Sequence, residues 1–316
     1  MPTRTMTSPP SILPLYARAA APMVPGASLL PFFPGGGGEI PELEMELTGV
    51  QAKPDALAGY AKVCGFALRD HLPPTYPHVL AFPLHMMVMA DGSFPFGAVG
   101  LVHLENRIVQ HRRIGVEEEL NIRVRPTKLE PHPKGQTFSL VTEVRIGDET
   151  VWESESTMLR RGKGSASADH RDDVAVPAGM REEVRHQAAE ARQASAEWRL
   201  GGDLGRRYAA VSGDRNPIHM HALTAKPLGF PGAIAHGMWT KARCLAALES
   251  RLPDSFAVDV SFRKPILLPA RVEFASTPEG EEIAFAVRDA KKGTPHLEGL
   301  VQPTVPQPKV ETERNQ

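Results

Sequence analysis

The chain has 316 residues, of which 41% are hydrophobic and 23% are charged, and its formal net charge is −1. This length suits two domains of ordinary size, and the composition is typical of a soluble globular protein. Because the charges are balanced, the chain has no strong positive potential that would attract nucleic acid and no polybasic patch that would bind a membrane surface. The sequence contains no run of about 18 apolar residues, so a membrane-spanning helix is not predicted.

Cys64 and Cys244 are the two cysteines. Two residues make neither a disulfide framework nor a metal cluster, so we expect reduced thiols in apolar surroundings and a cytoplasmic location. Residues 1–38 are rich in proline and lack the compact apolar segment of a signal peptide. We expect them to form an irregular arm across the folded body.

In the first half of the chain, helices are expected at residues 54–66, which begin with Pro54 and Asp55, and at the apolar residues 79–90. Alternating apolar and polar residues then predict strands at 99–108, 119–124, 137–145 and 150–159. Gly147 and Asp148 are typical of the turn between the last two strands. This half therefore reads as helix followed by an antiparallel meander.

Residues 162–177 are rich in Gly, Ser and Asp and predict a linker, and the alanine-rich residues 181–197 predict an exposed helix. The second half then repeats the order of the first, with a helix at 238–251 and strands at 258–262, 272–275, 283–289 and 297–301. Residues 84–87 resemble 235–238, and residues 101–107 resemble 257–263. We interpret this likeness as an internal duplication, in which Met86 occupies the position of Gly237.

Residues 208–250 hold the densest group of ionisable side chains beside a glycine-led helix start. Ser212-Gly213-Asp214-Arg215-Asn216-Pro217-Ile218-His219 precedes Ala235-His236-Gly237-Met238. A pattern of this length is more specific than an acid and a histidine that happen to lie five residues apart in a surface loop.

These two segments resemble the signature of the MaoC-like dehydratases, which are (R)-specific enoyl-thioester hydratases. The resemblance implies an α+β fold of the double hot-dog type, in which each of two units has a long helix wrapped by a curved antiparallel sheet. It implies a degenerate N-terminal unit at residues 1–161 and a catalytic C-terminal unit at residues 178–316. The helix of such a degenerate unit is expected to be displaced or shortened, which would open a tunnel for a long acyl chain.

The resemblance also implies roles for individual residues. Asp214 and His219 are expected to be catalytic, the backbone N–H of Gly237 to form the oxyanion hole, and four residues to shape the site: Ser212, Asn216, Pro217 and His236. Phe82, Met86 and Met89 are candidates for the acyl pocket, although core packing explains these residues equally well. His78, His85 and His103 are expected to be ordinary loop or core residues.

The expected function is a 3-hydroxyacyl-thioester dehydratase or 2-enoyl-thioester hydratase of fatty-acid metabolism, acting on medium to long chains. The substrate carrier is coenzyme A or acyl carrier protein, and the chain is a monomer or a homodimer. A hot-dog acyl thioesterase and a non-catalytic acyl-binding subunit are the alternatives. His219, His221 and His236 could suggest zinc, but they lack a nearby cysteine and H-E-x-x-H spacing, so neither a metal nor another cofactor is expected.

Overall fold

The computed structural model describes residues 2–20, 38–162 and 196–304. Its strands are β1 (Thr3–Met6), β2 (Glu44–Val50), β3 (Val102–Gln110), β4 (Leu120–Pro126), β5 (Glu130–His132), β6 (Gly135–Ile146), β7 (Glu149–Arg161), β8 (Ala196–Leu200), β9 (Phe256–Phe262), β10 (Ala270–Glu279), β11 (Glu282–Asp289) and β12 (Pro295–Pro303). The α-helices are α1 (Ile12–Ala20), α2 (Pro54–Cys64), α3 (Tyr76–Met89), α4 (Leu204–Ser212), α5 (Pro217–Met220), α6 (Ala222–Ala225) and α7 (Gly237–Leu248).

All twelve strands join one sheet, in the order β1-β2-β4-β6-β7-β3-β9-β12-β11-β10-β8, with β5 beside β6. Apart from β1 and β5, the two halves have the same strand order from the outside inward, β2-β4-β6-β7-β3 in one and β8-β10-β11-β12-β9 in the other. The two halves meet where β3 pairs antiparallel with β9, from Glu105 opposite Ser261 to Gln110 opposite Phe256. The repeated helix-then-meander order predicted from the sequence is therefore present, and it builds one continuous sheet.

Local sequence accounts for the predicted elements. Pro54 begins α2 and Gly65 ends it at φ 86°, a left-handed conformation that favours glycine. In β4, Leu120, Ile122 and Val124 are buried, and more exposed residues alternate with them. The turn between β6 and β7 falls at Gly147, as expected, with φ 55°.

The proposed match between Met86 and Gly237 is wrong. Helices α2 and α4 both end at a left-handed glycine, Gly65 at φ 86° and Gly213 at φ 77°. The next long helix begins at Tyr76 in the first half and at Gly237 in the second, so Tyr76 is the residue that corresponds to Gly237. Met86 instead lies in the last turn of α3. This helix is not shortened either, because it has 14 residues against 12 in α7.

The part of the N-terminal arm that the structure describes is regular, contrary to expectation. β1 extends the sheet by pairing parallel with β2, and α1 packs against α3. The helix predicted at residues 181–197 is wrong at its end. Ala196 and Glu197 belong to strand β8, in which Trp198 and Leu200 point into the core. Residues 163–177 of the expected linker and 181–195 of the expected helix lie outside the described residues.

A buried lysine fastens α7 to the junction between the halves. Lys241 Nζ donates to the backbone oxygen of Asn106 at 3.0 Å, to Asn106 Oδ1 at 2.6 Å and to the Val258 oxygen at 3.0 Å. Since three acceptors satisfy all three ammonium hydrogens, this contact sets the position of α7 against β3 and β9. The start of α7 is thereby held over the sheet.

Both cysteines are buried and unpaired, as predicted. Burial raises the pKa of the Cys64 thiol to about 12, so this group is an apolar core residue at neutral pH. Within the described residues, no helix is long and apolar enough to cross a membrane.

Candidate active site

Asp214 lies in the tight connection between α4 and α5. Gly213 caps α4 by donating its N–H to the Ala209 oxygen, and the next N–H, that of Asp214, bonds Ser212 Oγ at 3.2 Å. Asn216 then caps α5, because its side-chain oxygen accepts the Ile218 N–H at 3.4 Å. These contacts are the ones expected of the shaping residues Ser212 and Asn216.

His219 is brought beside Asp214 by the short helix α5, which Pro217 begins. Helix α4 packs closely against this segment at Gly205, where an added Cβ would lie 1.9 Å from the His219 carbonyl oxygen. Gly205 is therefore required for the position of His219, although it stands outside the sequence motif.

The tautomer of His219 follows from its hydrogen bond. Nδ1 lies 2.9 Å from the carbonyl oxygen of Ile234, which can only accept, so Nδ1 carries the proton and Nε2 keeps a lone pair. Burial lowers the pKa of His219, although Asp214 and the Ile234 carbonyl partly oppose that effect. The imidazole is therefore neutral at physiological pH and able to accept a proton at Nε2.

The two oxygens of Asp214 have different surroundings. Oδ1 accepts the backbone N–H of Asn216 at 3.1 Å and the hydroxyl of Tyr16 at 3.0 Å, whereas Oδ2 lies 3.7 Å from His236 Nε2. Burial acts to raise the pKa of Asp214, but His236, His219 and the donors on Oδ1 outweigh it, and the pKa falls below its ordinary value. Asp214 is a carboxylate at neutral pH.

His236 supports the other two groups. Its Nε2–H donates to the backbone oxygen of Asp214 at 3.0 Å, and its ring stacks on that of His219 with the centroids 3.6 Å apart. Burial and the neighbouring His219 lower the pKa of His236 to about 3. These contacts suit the shaping role that the sequence suggested for His236.

Gly237 is the first residue of α7, and its N-cap residue His236 makes no side-chain cap. The first N–H groups of a helix lack intrahelical partners and carry the positive end of its dipole, so they attract negative charge. A Cβ on Gly237 would lie 2.9 Å from Phe262 Cε1, and glycine is therefore the residue that fits. Gly237 lines the same cavity as Asp214 and His219.

The oxyanion role predicted for Gly237 implies that Gly237→Ala lowers kcat about 10²-fold, the usual effect of losing one such donor. The added methyl group must displace either Phe262 or the helix start, and it occupies the space beside the N–H. Initial rates with the enoyl thioester that the resemblance implies would measure the loss. Gly202→Ala is the control, because nothing lies within 4 Å of a Cβ there; equal rates for the two variants would contradict the role of the helix start.

The cavity lies between the two halves of the molecule. The first half lines it with apolar side chains of α3, namely Val79, Phe82 and Met89. Met86 is buried but does not line the cavity, so its place among the acyl-pocket candidates is wrong.

His78, His85 and His103 also line this cavity, and His78 and His85 are buried, which agrees with the core position expected for them. Burial lowers the pKa of His78 to about 4 and that of His103 to about 3. Their sequence neighbourhoods resemble no motif, and only the meeting of the two halves brings His78 and His103 close enough to Asp214 for its charge to act on them.

The nearest nitrogen or oxygen atoms of Asp214, His219 and His236 lie within 4.8 Å of one another, a spacing that a metal ion could bridge. Metal ligation needs an unprotonated nitrogen, however, and His236 Nε2 donates its proton to the Asp214 backbone oxygen. His236 can then offer only Nδ1, which is buried and has no hydrogen-bond partner among the described residues. The Asp214 carboxylate and the unprotonated nitrogen of His219 remain as a pair that suits proton transfer.

The model of the MaoC like domain matches residues 185–299. The 3-hydroxyacyl-thioester dehydratase X of Mycobacterium tuberculosis is 35% identical over 299 residues, which cover 94% of this chain and 99% of the relative. The crystal structure of HtdX from the same organism has a TM-score of 0.71 at 34% identity, covering 83% of this chain and 100% of that one.

A conserved hypothetical protein of Mycobacterium tuberculosis with a double hotdog fold gives a TM-score of 0.51 at 13% identity, and the match covers 84% of this chain and 94% of that one. This likeness concerns the fold alone, and it agrees with the expected α+β double hot-dog class. Because the dehydratase resembles this chain over almost the whole length of both, the protein belongs to the family of MaoC-like dehydratases.

Proposed function

We propose that the protein catalyses the reversible dehydration of (3R)-hydroxyacyl thioesters to trans-2-enoyl thioesters. The observation that carries this proposal is the meeting of Asp214, His219 and the Gly237 helix start in one cavity. The 35% identity to a 3-hydroxyacyl-thioester dehydratase supports the reaction class.

In the hydration direction, a water molecule held between Asp214 Oδ2 and His219 Nε2 adds its oxygen to C3 of the enoyl group. Asp214 takes one proton from this water, and Nε2 accepts a hydrogen bond from the other hydrogen. The electron pair of the C2–C3 double bond moves to the thioester oxygen, where the N–H of Gly237 stabilises the negative charge. The proton on Asp214 then moves to C2, which restores the carboxylate.

Dehydration is the reverse sequence. Asp214 removes the proton from C2, charge develops on the thioester oxygen, and the C3 hydroxyl leaves as water when Asp214 returns the proton. The neutral state of His219 suits this role, because a protonated imidazole could not accept the hydrogen bond from water.

The first half contributes binding surface to this reaction instead of a second site. Gly65 caps α2 as Gly213 caps α4, and the residue that follows is Phe66 in the first half and Asp214 in the second. Because Phe66 has no acidic group where the second half has Asp214, the first half lacks the catalytic carboxylate, which supports a single active site per chain. One chain supplies both halves of the sheet, so a monomer is sufficient to form that site.

We expect the α3 side of the cavity to hold the acyl chain, with Val79 facing it. Val79→Phe should therefore lower kcat/KM for a dodecenoyl thioester relative to a butenoyl one by about tenfold, since each displaced methylene carries roughly 1–3 kcal/mol. The matched control is Leu80→Phe, because the adjacent Leu80 is partly buried against the core, as Val79 is, but does not line the cavity. An unchanged chain-length profile for Val79→Phe would contradict this placement.

Lys264 is the basic residue best placed for the phosphates of the carrier, because it is exposed and lines the cavity. Two other basic residues are engaged elsewhere: Arg263 bonds Glu298 at 2.6 and 2.8 Å, and the Arg243 guanidinium lies 4.8 Å from the centre of the Trp198 ring. Coenzyme A and acyl carrier protein both present phosphate, so Lys264 suits either carrier.

The test is an assay of the purified protein with butenoyl-, octenoyl- and dodecenoyl-CoA. Absorbance of the enoyl bond should fall and (3R)-hydroxyacyl-CoA should accumulate, without release of free thiol. Thiol release would indicate the thioesterase alternative, and binding without either change would indicate an acyl-binding subunit.

A further inference from the structure

The N-terminal arm reaches the proposed active site. Its strand β1 is fastened to β2, and Arg4 Nη1 bonds Asp91 Oδ2 at 2.9 Å. Helix α1 then crosses α3, and an added Cβ on Gly213 would lie 2.7 Å from Ile12 Cδ1. The start of α1 therefore lies directly over the connection that carries Asp214.

Tyr16 of α1 makes two hydrogen bonds in this connection. Its hydroxyl donates to Asp214 Oδ1 at 3.0 Å and accepts the N–H of Arg215 at 2.7 Å. Burial and the negative charge of Asp214 raise the pKa of Tyr16, so the phenol stays protonated and remains a donor. The geometry admits no other direction for these bonds, because the Arg215 N–H can only donate and the carboxylate can only accept.

We infer that Tyr16 is a positioning residue for the reaction and that the N-terminal arm is part of the active site. This inference rests on the proposed function. The hydroxyl of Tyr16 and the N–H of Asn216 together hold Oδ1, which fixes the rotation of the carboxylate and leaves Oδ2 for the substrate water. The N-terminal arm thus determines which oxygen reacts.

Several other groups act on Asp214. They are His219 and His236 beside it, Tyr208 on α4, and His78 and His103 from the first half, while Arg215, next in the chain, acts on Tyr16. All of these remain when the Tyr16 hydroxyl is removed, so a Tyr16 variant reports on one donor alone. Loss of a donor to the charged form raises the pKa of a carboxylate. The acid limb of the rate profile should then move to higher pH.

The experiment compares Tyr16→Phe with the wild-type protein, using trans-2-octenoyl-CoA from pH 5 to pH 9. We expect kcat to fall about tenfold with little change in KM, and the acid limb of kcat/KM to shift upward in pH, since a hydrogen bond to a charged group is stronger than a neutral one. Leu13→Ala is the control on α1, because Leu13 is exposed and has no part in the proposed mechanism. A merely structural part for the arm would change stability without moving the acid limb.

Wild-type rates and an unmoved acid limb in Tyr16→Phe would overturn the inference while leaving the proposed function intact. No turnover in the wild-type protein with any enoyl thioester would overturn both.

Discussion

Asp214→Asn is expected to lower kcat for hydration of an enoyl thioester by about 10²–10⁴-fold. The amide keeps the shape of the side chain, and its oxygen can still accept from Tyr16 and Asn216. It cannot take a proton from water, however, so the step that activates the water is lost. KM should change little, because the acyl chain and the thioester oxygen are bound by other groups.

Initial rates from the enoyl absorbance, together with thermal melts of both proteins, would measure this effect. Asp148→Asn is the matched control, because Asp148 is an exposed carboxylate in the β6–β7 turn and should leave kcat unchanged. If Asp214→Asn melted as the wild type does and kept a wild-type rate, the assignment of the base would be wrong.

The folded protein is expected to lose stability steeply as the pH falls from 7 to 5. His78, His103 and His236 are buried with pKa values of about 4, 3 and 3, below the ordinary value near 6.5 of an unfolded chain. The unfolded chain then binds more protons than the folded one below about pH 6.5, so the stability is fully present above that pH and declines below it. Each histidine contributes about 1.4 kcal/mol per pH unit, and the three together roughly 4.

Urea unfolding between pH 7.5 and pH 5 would measure this slope. His78→Phe removes one of these groups and should reduce the slope by about 1.4 kcal/mol per pH unit, whereas His221→Gln, at an exposed position, should not change it. A free energy of unfolding that stays flat over this range would show that these imidazoles do not remain neutral in the folded state.

The strands of the fold could be predicted largely from alternation, because most of them bury one face. β4 and the β6–β7 hairpin are examples, where apolar periodicity and a Gly147 turn agree. Strand β2 was missed although Met45 and Leu47 alternate with glutamates, and β8 was hidden behind an alanine-rich run that favours helix. Local propensity gave the wrong element there because pairing with β10 decides the conformation.

Within the second half, the motif located the site well. Asp214, His219 and Gly237 line one cavity, and Ser212, Asn216 and His236 make the contacts of shaping residues. The motif predicts the position of the site because Gly213, Pro217 and the start of α7 determine the backbone conformation of the residues next to them. The chemical roles of Asp214, His219 and Gly237 remain predictions.

The contributions from elsewhere in the chain could not be predicted. Tyr16 is 198 residues from Asp214, and His103 reaches the cavity only because β3 pairs with β9. No local pattern encodes such contacts. The wrong match of Met86 to Gly237 has a different cause. It rests on the likeness of four residues, whereas the left-handed glycines Gly65 and Gly213 align the two halves correctly.

Hydration of trans-2-octenoyl-CoA in D₂O tests the central claim most directly. A single dyad on one side of the substrate handles both the water and the C2 proton, because Asp214 and His219 line the same cavity and a carboxylate oxygen of Asp214 lies within 4.8 Å of a ring nitrogen of His219. We expect (3R)-hydroxyoctanoyl-CoA with one deuterium at C2, added to the same face as the oxygen. Deuterium on the opposite face, a mixture of both C2 epimers or a (3S) product would contradict the account.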